Sequence, residues 1–253
     1  MKRNRKNSLC FVALLVVSLG FALCTVPVYA GEAHKAESTV YGKTYGEWSA
    51  NWWQWAFAGP DGRNPVQDLT GEFCGENQPK GKVWFLAGSF QVANVERTCT
   101  IPPGRALFYP LLNVSWTDCP NSPDATVSDA DVRGILATSW GDLACQLTST
   151  LDGTSISSMQ IITVRTQSPK FFSILPENNI GSAVAGCAEP MLPGKSGRQI
   201  SEGYWIMLPP LSPGEHVLTL HGAGCDTGTG NVLFENGVTY KLTVLGGNHK
   251  DDE

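Results

Sequence analysis

Residues 44–58 read Thr-Tyr-Gly-Glu-Trp-Ser-Ala-Asn-Trp-Trp-Gln-Trp-Ala-Phe-Ala, and no other segment constrains the fold as strongly. Thr44 with Glu47 three residues on is a capping box, and Gly59-Pro60 is a stop, so a helix is predicted near 45–58. At about 100° per residue, Tyr45, Trp48, Trp52 and Trp55 fall on one face of that helix. Trp53 and Phe57 fall on nearly the opposite face. Glu47, Asn51 and Gln54 form a narrow polar stripe between the two. A surface helix needs only one apolar face. This one has two, so it needs a sheet on one side and a second partner, such as a covering loop, on the other.

The first thirty residues belong to a different class of segment. Lys2, Arg3, Arg5 and Lys6 precede an apolar run from Leu9 to Leu23, and Val28-Tyr29-Ala30 offers small residues at a cleavage site. The expectation is a signal peptide over 1–30, export to the periplasm or the exterior, and removal after Ala30. The whole chain carries 18 Lys+Arg against 23 Asp+Glu. Without the leader's four cations the imbalance deepens, and so acidic a body is a poor match for a phosphate backbone. No nucleic-acid partner is expected. No second long apolar run follows, so no membrane span is expected after cleavage.

Six of the eight cysteines lie beyond the leader: Cys74, Cys99, Cys119, Cys145, Cys187 and Cys225. An even count in an oxidising compartment reads as three disulfides, for which 15 connectivities are possible. Pairing in sequence order (74–99, 119–145, 187–225) is favoured because each pair brackets one compact block. No two of these cysteines lie close enough to form a CxxC ligand hairpin, so no metal and no cofactor is expected.

The remainder alternates short apolar runs with Gly/Pro-rich turns. Strands are predicted at Val83–Ala87, from Val92 to Ile101, at Ala106–Leu112, from Cys145, and over Ser155–Thr166 and Phe171–Leu175. Three more follow at Gly203–Leu208, Glu215–Leu220 and Val238–Leu245. Asp152-Gly153 is a hairpin turn. Ser128 caps a second helix near 129–143, with Asp129 and Asp131 at its positive end. Residues 176–202 read as loop. The expected fold is mainly β: an antiparallel β-sandwich, jelly-roll or immunoglobulin-like, with two packed α-helices. The expected layout is a flexible segment over 31–41, a single domain over 42–245 and a disordered tail over 246–253.

Two resemblances accompany these patterns. Thr44-Tyr45-Gly46-Glu47-Trp48, Trp52-Trp53-Gln54-Trp55, Val83-Trp84-Phe85-Leu86-Ala87-Gly88, Arg97, Cys99, Pro103-Gly104 and Phe108-Tyr109-Pro110 together resemble a group of secreted bacterial proteins with no assigned activity. That resemblance implies export and a shared architecture, and carries no catalytic residue across. Leu211-Ser212-Pro213-Gly214-Glu215-His216 and the strand around Tyr240 resemble the closing strands of immunoglobulin-like sandwiches, with His216 near the place of the usual tyrosine.

No catalytic constellation emerges from the residues. Glu47, Asp118, Asp129, Glu189 and Glu202 are available carboxylates, but no spacing brings two of them to a defined distance. His216 and His221 are five apart, so one strand would place them on opposite faces. Gly194-Lys195-Ser196-Gly197 has the context of neither a nucleophile elbow nor a phosphate loop. Asn113-Val114-Ser115 matches a glycosylation sequon. The candidate ligand-binding residues are those of the aromatic helix: Glu47, Asn51, Trp52, Trp53, Gln54 and Trp55. Aromatic walls beside a few polar groups suit a sugar face, while core packing is the structural alternative. The expected function is an exported, disulfide-stabilised, non-catalytic binding or envelope-associated protein, with carbohydrate the first ligand class. A secreted hydrolase of polysaccharide or ester and a structural protein of the envelope are the alternatives.

Overall fold

The structure, a computed structural model, describes residues 39–89, 94–159 and 161–246. The predicted leader over 1–30, the segment up to 38, the strand start at Val92 and the tail over 247–253 lie outside the described residues. Thr39–Val40 (β1) and Lys43–Thr44 (β2) form a hairpin where loose chain was expected, and lead into helix α1, Tyr45–Ala58. The capping box is present: Glu47 N–H donates to Thr44 Oγ1 at 3.2 Å, and Thr44 N–H donates to Glu47 Oε2 at 2.8 Å. At the other end the buried Asn64 side chain donates to the carbonyls of Ala56 and Gly59, both at 2.7 Å, which satisfies groups that a helix terminus leaves open.

Next come β3 (Val83–Phe85), β4 (Val95–Ile101) and β5 (Ala106–Thr117), then α2 (Asp129–Ser139) and β6 (Ala144–Leu151). They are followed by β7 (Thr154–Ser155), β8 (Val164–Gln167), β9 (Ile174–Leu175), α3 (Gly181–Ala185) and β10 (Gly194–Lys195). The chain closes with β11 (Gln199–Leu208), β12 (Gly214–Cys225) and β13 (Val232–Val244). One sheet has the order β3-β5-β11-β8 and the other β4-β13-β12-β6-β7. Most pairs are antiparallel, but β3 runs parallel to β5 and β4 parallel to β13, so the sheets are mixed where antiparallel ones were expected. The expected second helix ends at Ser139, and a 3-10 turn takes over at Gly141–Leu143. Within the stretches expected as strands, Ile156–Met159 is a 3-10 helix, and α3 is a third α-helix inside the expected 176–202 loop.

The period of two along the first sheet explains where the cores lie. Trp84, Leu86, Leu107, Tyr109, Leu111, Ile206 and Leu208 face a core shared with Ile101, Leu218, Leu220, Tyr240 and Leu242 of the second sheet. The alternate residues Val83, Phe85, Ala106, Phe108, Trp205 and Met207 face α1. Both faces are covered, which is why these strands are continuously apolar in sequence. The second aromatic face of α1 is covered by Val66, Phe171, Leu175, Ile180 and Met191, so the helix is buried from both sides.

The disulfides correct the expected pairing. Cys74–Cys99 forms as expected, but the other two are Cys119–Cys187 and Cys145–Cys225. The reason is sheet register. β6 pairs antiparallel with β12, placing Cys145 opposite Ala223 and beside Cys225. Cys119, just past β5, meets the segment that follows α3.

Candidate functional site

The sequence-predicted site residues separate. Glu47 is exposed and committed to the cap, which together with Lys43 holds its carboxyl below the usual range. Gln54 is exposed and donates to the Phe172 carbonyl at 2.9 Å. Asn51 is half-buried. Trp55 is buried against Phe85 and donates to the Glu76 carbonyl at 2.8 Å. Of the six, Trp52 and Trp53 line the cavity described next. Trp52 donates to Leu86 O at 2.9 Å and sits edge-on to Trp53, Trp55 and Trp205. The polar stripe and the two lining tryptophans therefore do not converge on one ligand.

The cavity has a volume of about 520 Å³. Its walls are the last turns of α1 (Trp53, Phe57), the Gly88 segment that follows β3, the second half of β5 (Leu112 to Ser115), α3, and the start of β13 (Phe234 to Asn236). Buried Arg97 fixes the Gly88 wall. Its guanidinium donates to Ala87 O at 2.9 Å, Gly88 O at 3.2 Å and Asp68 O at 2.7 Å, and Tyr240 Oη donates to Ala87 O at 2.8 Å. Trp140, just past α2, packs on Phe234 with ring centroids 4.8 Å apart and forms one rim. Phe234 lies over Gly224, its cross-strand partner, where any side chain would overlap the ring.

Three buried polar atoms on this cavity have no hydrogen-bond partner: Trp53 Nε1, Asn113 Nδ2 and Asn236 Oδ1. Asn236 is itself oriented, because its Nδ2 donates to Leu111 O at 3.1 Å. An orphaned buried polar atom is costly in a finished core. All three are shielded from solvent as well, so the cavity surface as it stands does not present them. The same burial shields the Asn113 amide nitrogen, the atom that a glycan on the sequon would require. A second cavity of about 740 Å³ shares Val114, Ser115, Trp140 and the 184–186 turn with the first. The two run into one another along β5. Cys119–Cys187 pins the far side of this groove.

Of the carboxylates named for hydrolysis, Glu189 lines the second cavity, while Asp118, Asp129 and Glu202 are held by arginines. Arg198 bridges Asp118 at 2.9 Å and Asp129 at 2.7 Å, and its hydrogen bond holds the Asp129 carboxyl below its ordinary value. Arg165 Nε holds the buried Glu202 at 2.7 Å. Among the described residues no three His, Cys, Asp or Glu side chains group in a way that could hold a metal ion. His221 Nε2 lies 3.2 Å from Glu235 at the cavity rim, while its Nδ1 faces Gln146 O at 3.0 Å.

His216, Asp152 and Ser212 form a second cluster, outside both cavities. His216 Nδ1 is 2.8 Å from Asp152 Oδ2, and Nε2 is 3.4 Å from Ser212 Oγ. These are the residue types of a nucleophile triad, but Nε2 lies closer to the Ser212 carbonyl, at 3.0 Å. With its proton on that carbonyl, the ring nitrogen has no lone pair for the hydroxyl. The cluster is a clamp on the Asp152-Gly153 hairpin. Burial disfavours the charged imidazole, but the bonds to Asp152 and to the Ser212 carbonyl outweigh it, so His216 titrates above its ordinary 6.5. The His216 bond holds Asp152 below its ordinary 3.8. The histidine contribution is complete below 6.5 and fades as pH rises through the raised value. The aspartate contribution is complete above 3.8 and fades as pH falls through the lowered value. The melting temperature of His216→Asn should therefore fall furthest below that of the unmodified protein between about pH 4 and 6.5, and the gap should narrow above neutrality.

No protein-family model, curated protein or solved structure matches this chain.

Proposed function

We propose that the chain is an exported, disulfide-stapled, non-catalytic binding protein, and that its ligand occupies the cavity between α1, β5, α3 and the start of β13. This reading takes the two sheets as the layers of a β-sandwich of the jelly-roll or immunoglobulin-like kind, on the strength of their shared core. Export is supported by the three disulfides and the basic-apolar leader pattern. The observation that carries the binding reading is the lining of one cavity, which sets the aromatic rings of Trp53, Phe57, Trp140 and Phe234 beside the amides Asn113 and Asn236. A volume of about 520 Å³ lies in the usual range for small-ligand sites, which are largely apolar with a few placed polar groups.

The polar part of the lining is mostly neutral, with Asn113, Ser115 and Asn236 beside the single carboxylate of Glu235, so a neutral group that both donates and accepts suits it. Sugar hydroxyls qualify, and so do amides. The test is a titration of the oxidised protein with neutral sugars and with short amide-containing peptides, followed by tryptophan fluorescence. Trp53→Leu removes the aromatic wall, and it should weaken binding about five- to tenfold, the scale of one aromatic contact. Unchanged emission across both panels would overturn the reading. The hydrolase alternative has one foothold, the His221–Glu235 pair at the rim. It predicts turnover of a polysaccharide or ester that vanishes in Glu235→Gln.

A further inference from the structure

Among the described residues, no strand pairs with the outer side of β5 beyond Phe108. In an antiparallel pair, alternate residues turn their main-chain groups toward and away from the partner. On β11, Ser201 exchanges hydrogen bonds with Ser168, and Gln199 exchanges main-chain bonds with Phe171, so the odd-numbered residues of this stretch face away from β5. The even-numbered residues Ile200, Glu202 and Tyr204 face β5 opposite Trp116, Val114 and Leu112. Asp118 N–H donating to Arg198 O at 2.9 Å keeps the same phase. It follows that Asn113, Ser115 and Thr117 turn their N–H and C=O groups to the other side. There β3 covers only Ala106 to Phe108. Among the described residues no main-chain or side-chain hydrogen bond reaches the outward groups of Asn113, Ser115 and Thr117.

That edge is the floor of the groove formed by the two cavities, which are lined in turn by residues 112–115 and 114–117. Sheet edges are usually guarded by proline, a bulge or a charge. Here Pro110 and the register shift near Leu111 stand before the groove, and Leu112 to Thr117 carry no guard of these kinds. We infer that the groove binds an extended peptide, which adds as a strand to the β5 edge. This rests on the binding reading above and deepens it. Hydrogen-bonding groups repeating every second residue match another polypeptide backbone, whereas sugar hydroxyls have no such repeat. At about 3.3 Å per residue the edge spans about 17 Å, room for about five or six residues. The charged side chains lining the groove are Glu235, Asp124 and Glu189, with no Lys or Arg, so the peptide is neutral or basic.

The experiment presents the oxidised protein to a random dodecapeptide display library and, in parallel, to a glycan array. Selected peptides are then measured against Ser115→Ala and Ser115→Pro. Proline removes the outward N–H without touching the bonds to β11, a position where strands tolerate it. Expected are peptides that bind the unmodified protein and Ser115→Ala alike and lose about tenfold or more on Ser115→Pro. Independently of whether Ser115→Pro folds, a bound peptide should slow amide exchange at Asn113, Ser115 and Thr117. Peptides indifferent to Ser115→Pro, or exchange unchanged at those three amides, would overturn the edge. Glycan binding with no peptide selected would overturn the peptide and leave the cavity reading standing. No binder in either arm would remove both.

Discussion

Trp52→Ala should cost about 4 kcal/mol of stability, in the range measured for aromatic-to-alanine changes in cores. For a domain of this size that lowers the melting temperature by about 10 °C. Trp52 is only 2 % exposed and joins three aromatic neighbours edge-on: Trp53 at 5.2 Å, Trp205 at 5.5 Å and Trp55 at 5.7 Å. Its indole also satisfies the carbonyl of Leu86, the residue that leads into the Gly88 wall of the cavity. Alanine deletes the ring that links α1 to the first sheet and leaves that carbonyl unsatisfied. Trp52→Phe keeps most of the packing and should cost about 1–2 kcal/mol, mainly the lost hydrogen bond. Urea unfolding of the oxidised protein measures both. A Trp52→Ala variant within 1 kcal/mol of the unmodified protein would contradict the two-sided burial of α1.

The second large effect is expected from Cys145→Ser combined with Cys225→Ser. These cysteines are 80 residues apart, and in the chain-entropy account closing a loop of that length is worth about 4.5 kcal/mol. Cys74 and Cys99 are 25 apart, and by the same relation their loss should cost about 3.5 kcal/mol. Typical domains hold only about 5–15 kcal/mol in total, so the first variant should be close to unfolding. Cys145 lies inside the 119–187 loop and Cys187 inside the 145–225 loop, so removing both of those bridges should not cost the sum of the two single losses. Mass spectrometry of a non-reduced digest checks the pairing directly. A fragment joining Cys119 to Cys145 would refute it.

The two halves of the candidate site differ in how legible they were. Trp52 and Trp53 stand out because a helix with two aromatic faces must be buried, and that follows from a period of 3.6 alone. Asn113, Asn236, Trp140 and Phe234 do not stand out. The apolar pattern of β5 fades after Leu112, and Asn113-Val114-Ser115 resembles the polar residues of a turn or a sequon. It is strand only because β11 pairs with it through Thr117. Asn236 comes within hydrogen-bonding distance of Leu111, 125 positions away in sequence, through the approach of the two sheets. The alternation of polar Asn113, Ser115 and Thr117 with Leu112, Val114 and Trp116 was the one available signal for a strand there.

The disulfides divide in the same way. That six cysteines pair as three bridges follows from their even count and the expectation of export. Which cysteines pair depends on strand neighbours: β6 returns beside β12, and no local rule sets that register.

By itself the sequence determined what is local: the Thr44–Glu47 cap, the Asp152-Gly153 turn, the helix start at Ser128, the apolar strands and the need to cover α1 twice. These rest on dihedral preferences and on the spacing of side chains along one element. The tertiary structure alone decided the cavity, the three unpartnered polar atoms buried in the residues that line it, the side of β5 left unpaired among the described residues, and the interlaced bridges. Each depends on elements distant in sequence meeting in space, and burial, which makes an unpaired amide costly and therefore informative, exists only once they have met.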